Sequence, residues 1–190
     1  MIVQLRPFYE PHELAKVYSK QYLHSEWADH IERVLYTSAL IDAFAGQHQM
    51  RYVADLSCGD GAILRHSRHP WERTVLGDLV SGDGITRVGP LHMTLPSLQH
   101  SPVDLYVCSE TLEHVEDPLE TLRLIRKITT HMVLTTPCGE ITDENPQHYW
   151  GWDEDGLDEL LAEAGFTHRV SHLFTPTTVE YYTFQIWQCS

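Results

Sequence analysis

Two carboxylates and an imidazole, Glu110, Glu113 and His114, form the pattern E-x-x-E-H near the middle of the chain. Spacings of three and four residues place side chains on one face of an α-helix. Such a set suits Mg²⁺ or Mn²⁺ and does not exclude Zn²⁺. Alternatively, His114 acts as a general base without a metal. The pattern therefore predicts catalytic roles for His114 and Glu113, and metal ligation by Glu110, Glu113 and His114.

A second chemical motif is the segment VADLSCGDG, residues 53–61. Gly59 and Gly61 lack a Cβ, so the backbone N–H groups of this turn can closely approach a ligand above the end of a strand. Asp78 ends the next apolar run, 17 residues after Gly61. Its carboxylate can accept two hydrogen bonds from a ribose diol. The pair of features predicts a nucleotide-type cofactor.

A nicotinamide dinucleotide is the alternative ligand for such a turn. Two observations weigh against it. The third glycine of G-x-G-x-x-G is missing, because Leu64 stands in its place. In addition, no Tyr is followed by Lys at the fourth position, which removes the catalytic pair of short-chain dehydrogenases.

Apolar runs and helical periodicity alternate along the chain, which predicts an α/β fold of one domain with a parallel sheet covered on both faces. The predicted helices are two within 11–44, one at 62–69, one capped by Asp117 and one from Asp153 to Gly165. The predicted strands are 51–56, 74–79, 103–108, 132–136, 167–174 and 180–188. Residues 81–101 give the weakest signal.

The composition narrows the classes of partner. The formal net charge is −14, and no stretch clusters Lys or Arg, so nucleic acid is a disfavoured partner. The sequence contains no run of 18 apolar residues and no secretion signal, and its four cysteines are scattered. These features predict a cytoplasmic protein with reduced cysteines and no membrane association.

Over roughly residues 50–189, the chain resembles the class I S-adenosylmethionine-dependent methyltransferases. The matching segments, in order, are VADLSCGDG, VLGDL, DLYVCSETLEHVEDP, and LTTPCGE followed by DEDGLDELLAEAGF. The resemblance implies a doubly wound, seven-stranded, mostly parallel sheet with an antiparallel last strand. It divides the single domain, residues 1–190, into a helical lid at 1–48 and a Rossmann-like core at 49–190.

The resemblance also implies S-adenosylmethionine as cofactor, with Asp55 and Gly59 near its methionine part, Asp78 on its ribose and Ser109 close by. On the lid, Arg33 is a candidate partner for the cofactor carboxylate, together with Tyr22 and Trp27 as covering residues. The full predicted cofactor set is Asp55, Ser57, Cys58, Gly59, Gly61, Asp78, Leu79, Ser109 and Arg33.

Two positions depart from the family pattern. Ser57 replaces the first glycine of the loop, which is tolerable if its φ stays negative. Between Asp78 and Gly89 the chain is too short for the usual helix and third strand, and Pro90 replaces the adenine-side acid. We therefore expect a shortened third strand and adenine recognition by the backbone near Leu91 and His92.

The E-x-x-E-H pattern is similar to that of two methyltransferase groups, those of ubiquinone synthesis and those acting on the 2′-hydroxyl of small RNA ends, in which it holds a divalent cation. HYWGW, residues 148–152, resembles the histidine-bearing segment of the RNA group and makes His148 a candidate fourth ligand. Metal-free members carry a similar LEH segment, so the base-only alternative stays open.

The sequence is therefore interpreted as an S-adenosylmethionine-dependent methyltransferase that methylates an oxygen, and with less support a nitrogen, of a small molecule. One alternative is a 2′-O-methyltransferase of an RNA end or nucleotide. The other is a non-catalytic module that binds S-adenosylmethionine and regulates a partner.

Overall fold

The apolar runs of the sequence become the central strands of one sheet in the computed structural model, which describes residues 1–139, 145–178 and 182–190. The strands are β1 Ile2–Gln4, β2 Tyr52–Asp55, β3 Arg73–Asp78, β4 Arg87–Val88, β5 Leu105–Ser109, β6 Met132–Pro137, β7 Trp150–Trp152, β8 Arg169–Phe174 and β9 Phe184–Cys189. The helices are α1 Pro11–Val17, α2 Ala28–His48, α3 Ala62–His66, α4 Leu91–Thr94, α5 Pro118–Ile128 and α6 Glu154–Glu163. Short 3₁₀ helices occupy His24–Glu26, Leu95–Leu98 and Leu112–His114.

Seven strands form the main sheet in the order β4-β3-β2-β5-β6-β9-β8. Neighbours from β4 through β6 pair in parallel, and β9 runs antiparallel to both β6 and β8. This arrangement confirms the predicted α/β fold, the seven strands and the antiparallel last strand. The shortened third strand is confirmed as well, because β4 has only two residues.

Alternation along the strands divides the apolar side chains between two cores, since successive residues of a strand point to opposite faces. Leu56, Tyr106 and Leu134 pack with α5 and α6 on one face. Val53, Val107 and Val133 pack with α2 and α3 on the other face. Burial on both faces explains why these strands read as continuous apolar runs.

Several boundaries differ from the sequence predictions. The helix predicted at 62–69 ends at His66, because Asp42 accepts hydrogen bonds from the Ser67 hydroxyl and from the N–H groups of Arg68 and His69. The first part of the strand predicted at 180–188 lies outside the described residues, as does Glu140 of the LTTPCGE segment.

An additional antiparallel pair, β1 with β7, was not predicted from the sequence. It joins the first residues of the chain to the HYWGW segment, and the Met1 ammonium group forms an ion pair with Asp153, the residue that caps α6. In the described part of the chain, no helix is both long and apolar enough to cross a membrane.

Candidate functional site

A cavity of about 770 Å³ opens at the carboxyl edge of the sheet, where β2, β3 and β5 end. Its walls come from the glycine loop after β2, from Asp78, from the loop after β5 and from the N-terminal segment. Cavities of this size bind cofactors and other small molecules. Residues on the described walls include Tyr18, Ser57, Gly59, Asp78, Glu110, His114 and His148.

The glycine loop adopts the conformation that its composition predicts. Gly59 has φ +54° and Gly61 has φ +71°, values that residues with a Cβ rarely adopt. A Cβ on Gly59 would lie 2.9 Å from the His24 ring and 2.9 Å from the Tyr22 carbonyl oxygen. Ser57 has no positive φ, so it meets the condition under which a serine can replace the family glycine.

Asp78 closes the loop from the neighbouring strand. Its Oδ2 accepts a hydrogen bond from the Gly59 N–H at 2.8 Å, and its Oδ1 accepts one from the Val80 N–H at 3.3 Å. Partial burial raises the pKa of the Asp78 carboxyl, and the backbone N–H groups oppose that shift. A carboxylate has about four lone-pair sites, so Asp78 can still accept hydrogen bonds from a ligand in the cavity.

Five of the predicted cofactor residues lie behind the cavity wall rather than on it: Asp55, Cys58, Gly61, Ser109 and Arg33. Asp55 is 2% exposed, and its Oδ1 accepts a hydrogen bond from the Ser57 N–H at 3.1 Å. Desolvation raises the pKa of Asp55 to about 7. Leu79, by contrast, lines the cavity, as do Leu91 and His92 at the expected adenine end.

The segment 21–25 lies across the glycine loop. The Gln21 side-chain amide donates to the Gly59 carbonyl at 2.8 Å, and the Ser25 N–H and hydroxyl donate to Asp60. Tyr22 and His24 line the cavity, as the lid prediction requires of Tyr22. Trp27, the other predicted covering residue, is 55% exposed and does not line the cavity.

Arg33 is fully buried between α2 and the sheet, and it does not reach the cavity. Its guanidinium donates to the Ser109 hydroxyl at 2.6 Å and lies 5.4 Å from the centre of the Phe184 ring. The hydroxyl oxygens of Ser109 and Thr135 are 2.7 Å apart and share a hydrogen bond, and the Thr135 hydroxyl donates to Glu110 Oε1 at 2.9 Å. A chain of hydrogen bonds thus joins the buried cation to the Glu110 carboxylate.

The expectation that Glu110, Glu113 and His114 share one helical face is wrong. Glu110 has φ +48°, and only Leu112–His114 form a short 3₁₀ helix. The chain turns sharply here because the Glu110 N–H still pairs with the Thr135 carbonyl of β6, directly after β5 ends. The group whose ligand-type atoms the structure brings within mutual reach is therefore Glu113, His114 and His148, without Glu110.

In this three-residue group, ligand-type atoms lie within 4.8 Å of one another. Glu113 is 1% exposed, and its Oε2 accepts a hydrogen bond from the Thr136 hydroxyl at 3.1 Å. Its Oε1 is buried, receives no hydrogen bond from the described residues and lies 3.9 Å from His114 Nε2. Burial raises the pKa of Glu113, and His148 opposes that shift. A buried carboxylate oxygen without a donor is costly, so the site suits a proton or a cation at this point.

Hydrogen bonding assigns the tautomer of His114. Its Nδ1 lies 2.9 Å from the Gln147 carbonyl oxygen, which can only accept. Nδ1 therefore carries a proton, and in the neutral ring the lone pair is on Nε2, on the side of Glu113. The Tyr18 hydroxyl lies 3.3 Å from the same Nδ1. This neutral tautomer is the one that a general base or a metal ligand requires.

Three hydrogen bonds bring His148 to His114 across 34 residues of sequence. The Tyr149 N–H donates to the Glu113 carbonyl at 2.7 Å, and the Trp150 indole donates to the Val115 carbonyl at 2.9 Å. The Trp152 indole donates to the Thr136 hydroxyl at 3.2 Å. The imidazoles of His148 and His114 then meet with ring centroids 4.7 Å apart.

Sequence reasoning missed four residues that support this site: Tyr18, Thr135, Thr136 and Gln147. The two threonines form the TTP segment at the end of β6, and hydroxyls at the carboxyl end of a parallel strand are a usable signal because ligands bind at that edge of the sheet. Tyr18 follows directly after α1 and reaches the site through its hydroxyl group. Gln147 acts through its backbone carbonyl, for which no side-chain pattern exists.

Comparison with known proteins places the chain in one family. The family model described as "Methyltransferase domain" matches residues 22–177. No curated protein sequence matches the chain.

Solved structures share the fold at low sequence identity. The first is a Burkholderia thailandensis 1,6-didemethyltoxoflavin-N1-methyltransferase with its namesake compound and S-adenosylhomocysteine bound (19% identity, 100% of this chain, 94% of that chain, TM-score 0.65). The second is the N-terminal domain of EvdMO1 with S-adenosylhomocysteine bound (14% identity, 81% of this chain, 80% of that chain, TM-score 0.61). The third is the small RNA methyltransferase HEN1 (18% identity, 84% of this chain, 25% of that chain, TM-score 0.57).

The raised pKa of Asp55 gives a prediction for stability. Because the folded protein holds a proton on Asp55 that the unfolded chain releases near its ordinary pKa of 3.8, this group makes stability fall as pH rises from about 4 to about 7. Asp55→Asn keeps an acceptor for Ser57 and removes the titration. Urea unfolding of the ligand-free protein at several pH values is expected to show a less negative slope in Asp55→Asn than in wild type.

Asp83→Asn is the control for this measurement, because Asp83 is largely exposed. It should keep the wild-type slope. A wild-type slope in Asp55→Asn as well would show that Asp55 is ionised in the folded protein near neutral pH, contrary to this account.

Proposed function

The chain belongs to the methyltransferase-domain family and is an S-adenosylmethionine-dependent methyltransferase, and we propose that it methylates a hydroxyl oxygen of a small molecule. One observation carries this proposal: Gly59 and Asp78, on the donor side, line the same cavity as His114. Donor and acceptor therefore have room to meet in one enclosed space.

The donor end of the cavity fits S-adenosylmethionine. Gly59 lies on the cavity wall without a side chain, and Asp78 keeps acceptor capacity at the strand end for the ribose hydroxyls. Leu79, Leu91 and His92 supply the adjacent wall for the adenine. When bound, the cofactor supplies a methyl group on a sulfonium, which is already activated, so the protein's main contribution is alignment.

A hydroxyl acceptor must lose its proton, and His114 is the residue proposed to take it. The Gln147 carbonyl holds the proton on Nδ1, which leaves Nε2 as the basic atom. Tyr18 lies against the same ring and restricts its orientation. A base positioned in this way contributes roughly 10²–10⁴-fold to the rate.

A divalent cation is the second candidate for activating the acceptor. The observation that favours it is the buried Glu113 Oε1, beside two imidazoles that are themselves held by neighbouring groups. Glu113, His114 and His148 would be ligands. Glu110 is close enough for the charges of Glu113 and His148 to affect its pKa, which makes it the candidate to complete the set. A cation here would lower the pKa of a bound hydroxyl and favour the ionised form of both carboxyls.

The two other interpretations of the sequence have less support. Methylation of an RNA end is favoured by the similarity to HEN1, but the carboxylates on the cavity wall, which include Glu110, Glu116 and Glu120, oppose a phosphate-bearing acceptor. A non-catalytic regulatory module would not need a base of fixed tautomer in the cavity. Transfer of a methyl group to any acceptor excludes that last interpretation.

Asp78→Ala is expected to weaken binding of S-adenosylhomocysteine. The variant loses one or two charge-assisted hydrogen bonds to the ribose, worth roughly 1.5–3 kcal/mol each, and also the acceptor that holds the Gly59 N–H. Titration calorimetry should therefore show a dissociation constant at least about tenfold higher. The dissociation constant of Asp78→Asn should lie between those of wild type and Asp78→Ala, since asparagine keeps one acceptor oxygen.

Asp83→Ala serves as the matched control, because it removes an exposed carboxylate shortly after Asp78 in the sequence. It should bind with wild-type affinity. Unchanged affinity in Asp78→Ala would remove the ribose assignment, and binding of a nicotinamide dinucleotide in place of S-adenosylhomocysteine would overturn the donor assignment itself.

His114→Ala is expected to lower methyl transfer by roughly 10²–10⁴-fold, because it removes the group that accepts the acceptor's proton. Binding of S-adenosylhomocysteine should persist, since His114 lies outside the glycine loop. Transfer of a labelled methyl group into fractionated small-molecule extract measures the first quantity, and calorimetry measures the second. His168→Ala, at an exposed imidazole outside the cavity, should leave both unchanged.

The same assay distinguishes activation of the acceptor by His114 alone from activation by a divalent cation. If a cation is required, a chelator abolishes transfer, Mg²⁺ or Mn²⁺ restores it, and Glu113→Gln and Glu110→Gln are both inactive. If His114 acts alone, a chelator has no effect in metal-free buffer. Full activity of His114→Ala would contradict both routes.

A further inference from the structure

The charged groups on the cavity wall are almost all of one sign. Among the described lining residues, five carboxylates stand against one lysine and no arginine: Asp78, Glu110, Glu116, Asp117 and Glu120 against Lys20. Five histidines, counted as neutral in the formal charge, line the same cavity: His24, His30, His92, His114 and His148. The buried Arg33 lies behind the wall and is engaged by Ser109 and Thr135. The cavity therefore has a negative potential that the lining itself does not balance.

The positions of these carboxylates strengthen the negative potential of the cavity. Glu116, Asp117 and Glu120 are exposed lining residues at the start of α5, while Glu110 is more buried and lies at the end of β5, beside β6. A cleft lined by one sign of charge within low-dielectric walls focuses its field and concentrates ligands of the opposite sign. The formal net charge of −14 adds to the same field.

Aromatic side chains form a second feature of the same lining. Tyr18 and Tyr22 come from the N-terminal segment, and Tyr182 and Phe184 come from the last strand and the residues before it. Tyr182 and Phe184 pack edge to face with centroids 4.7 Å apart. Aromatic faces bind flat rings through stacking and attract cations through the ring quadrupole.

We propose that the methyl acceptor is an aromatic hydroxy compound that carries no negative charge, and that a cationic group on it is favoured over a neutral one. This inference rests on the proposed function, since it concerns the same cavity. It excludes carboxylated and phosphorylated acceptors, nucleotides and RNA ends among them, because their anions would face four carboxylates beyond Asp78 and one lysine.

Three phenols of similar size test the proposal by binding rather than turnover: tyramine as the cation, 4-hydroxyphenylacetamide as the neutral compound and 4-hydroxyphenylacetate as the anion. Each is titrated by calorimetry or NMR into the full chain saturated with S-adenosylhomocysteine at low salt. We expect tyramine to bind most tightly of the three. The dissociation constant of 4-hydroxyphenylacetate should be higher than that of the isosteric amide by about tenfold or more. The preference should shrink at high salt, because the rim carboxylates are screened.

A double variant, Glu116→Gln with Glu120→Gln, tests whether the carboxylates of the cavity cause the preference for a cationic ligand. It leaves the cap residue Asp117 intact and should reduce the ratio of tyramine to acetate affinity by about threefold or more. The matched control is Asp155→Asn with Glu159→Gln, which removes two exposed carboxylates of α6 outside the cavity and should keep the wild-type ratio to within experimental error.

The inference is overturned if the acetate binds as tightly as the amide, if none of the phenols binds at millimolar concentration, or if the cavity double variant keeps the wild-type ratio. These outcomes differ from failure of the proposed function. A chain that does not bind S-adenosylhomocysteine refutes the proposed function, whereas one that binds it and transfers methyl groups but prefers the acetate refutes only the acceptor class.

Discussion

Parallel pairing of β2, β3, β5 and β6 is the constraint on which the site depends. Strands that run side by side in the same direction end at the same edge, so the residues that follow them converge without being close in sequence. The glycine loop after β2, Asp78 at the end of β3 and Glu110 after β5 meet in this way. Residues 145–152 then bring His148 to His114 at that edge. The chemistry of the cavity is thus a consequence of sheet topology.

Charge burial is the second organising factor. Arg33 has no carboxylate in direct contact among the described residues, and hydrogen bonds through Ser109 and Thr135 join its guanidinium to the Glu110 carboxylate. These hydrogen bonds hold the side chain of a glutamate whose left-handed backbone conformation its residue type disfavours. Strain at such a position is maintained only where surrounding contacts determine it, and it is typical of functional sites.

The sequence was most informative where the signal is local. The glycine turn, the acid at the next strand end and the Asp117 cap each depend on a few neighbouring residues, and each lies where the pattern predicted. The short stretch of chain between Asp78 and Gly89, compared with the family pattern, likewise predicted the short β4. These features could be read because backbone conformation and hydrogen bonding are decided within a few residues.

Features that depend on packing could not be read in this way. The spacing of Glu110, Glu113 and His114 suggested a helix, but pairing of the Glu110 N–H with β6 prevents one. Arg33 looked like a lid residue, and only the packing of α2 on the sheet shows that it is buried. The approach of His148 was suggested by family resemblance alone, because the three hydrogen bonds that bring it there are long-range.

The most direct test of the account is a crystal structure with S-adenosylhomocysteine bound, in which the distance from the ligand sulfur to His114 Nε2 is measured. The account predicts roughly 6–8 Å, the span of a transferred methyl group and an acceptor oxygen hydrogen-bonded to the imidazole. It also predicts that the ribose hydroxyls lie on Asp78. A sulfur more than about 10 Å from His114, or a ligand bound outside this cavity, would contradict the claim that one site joins donor and base.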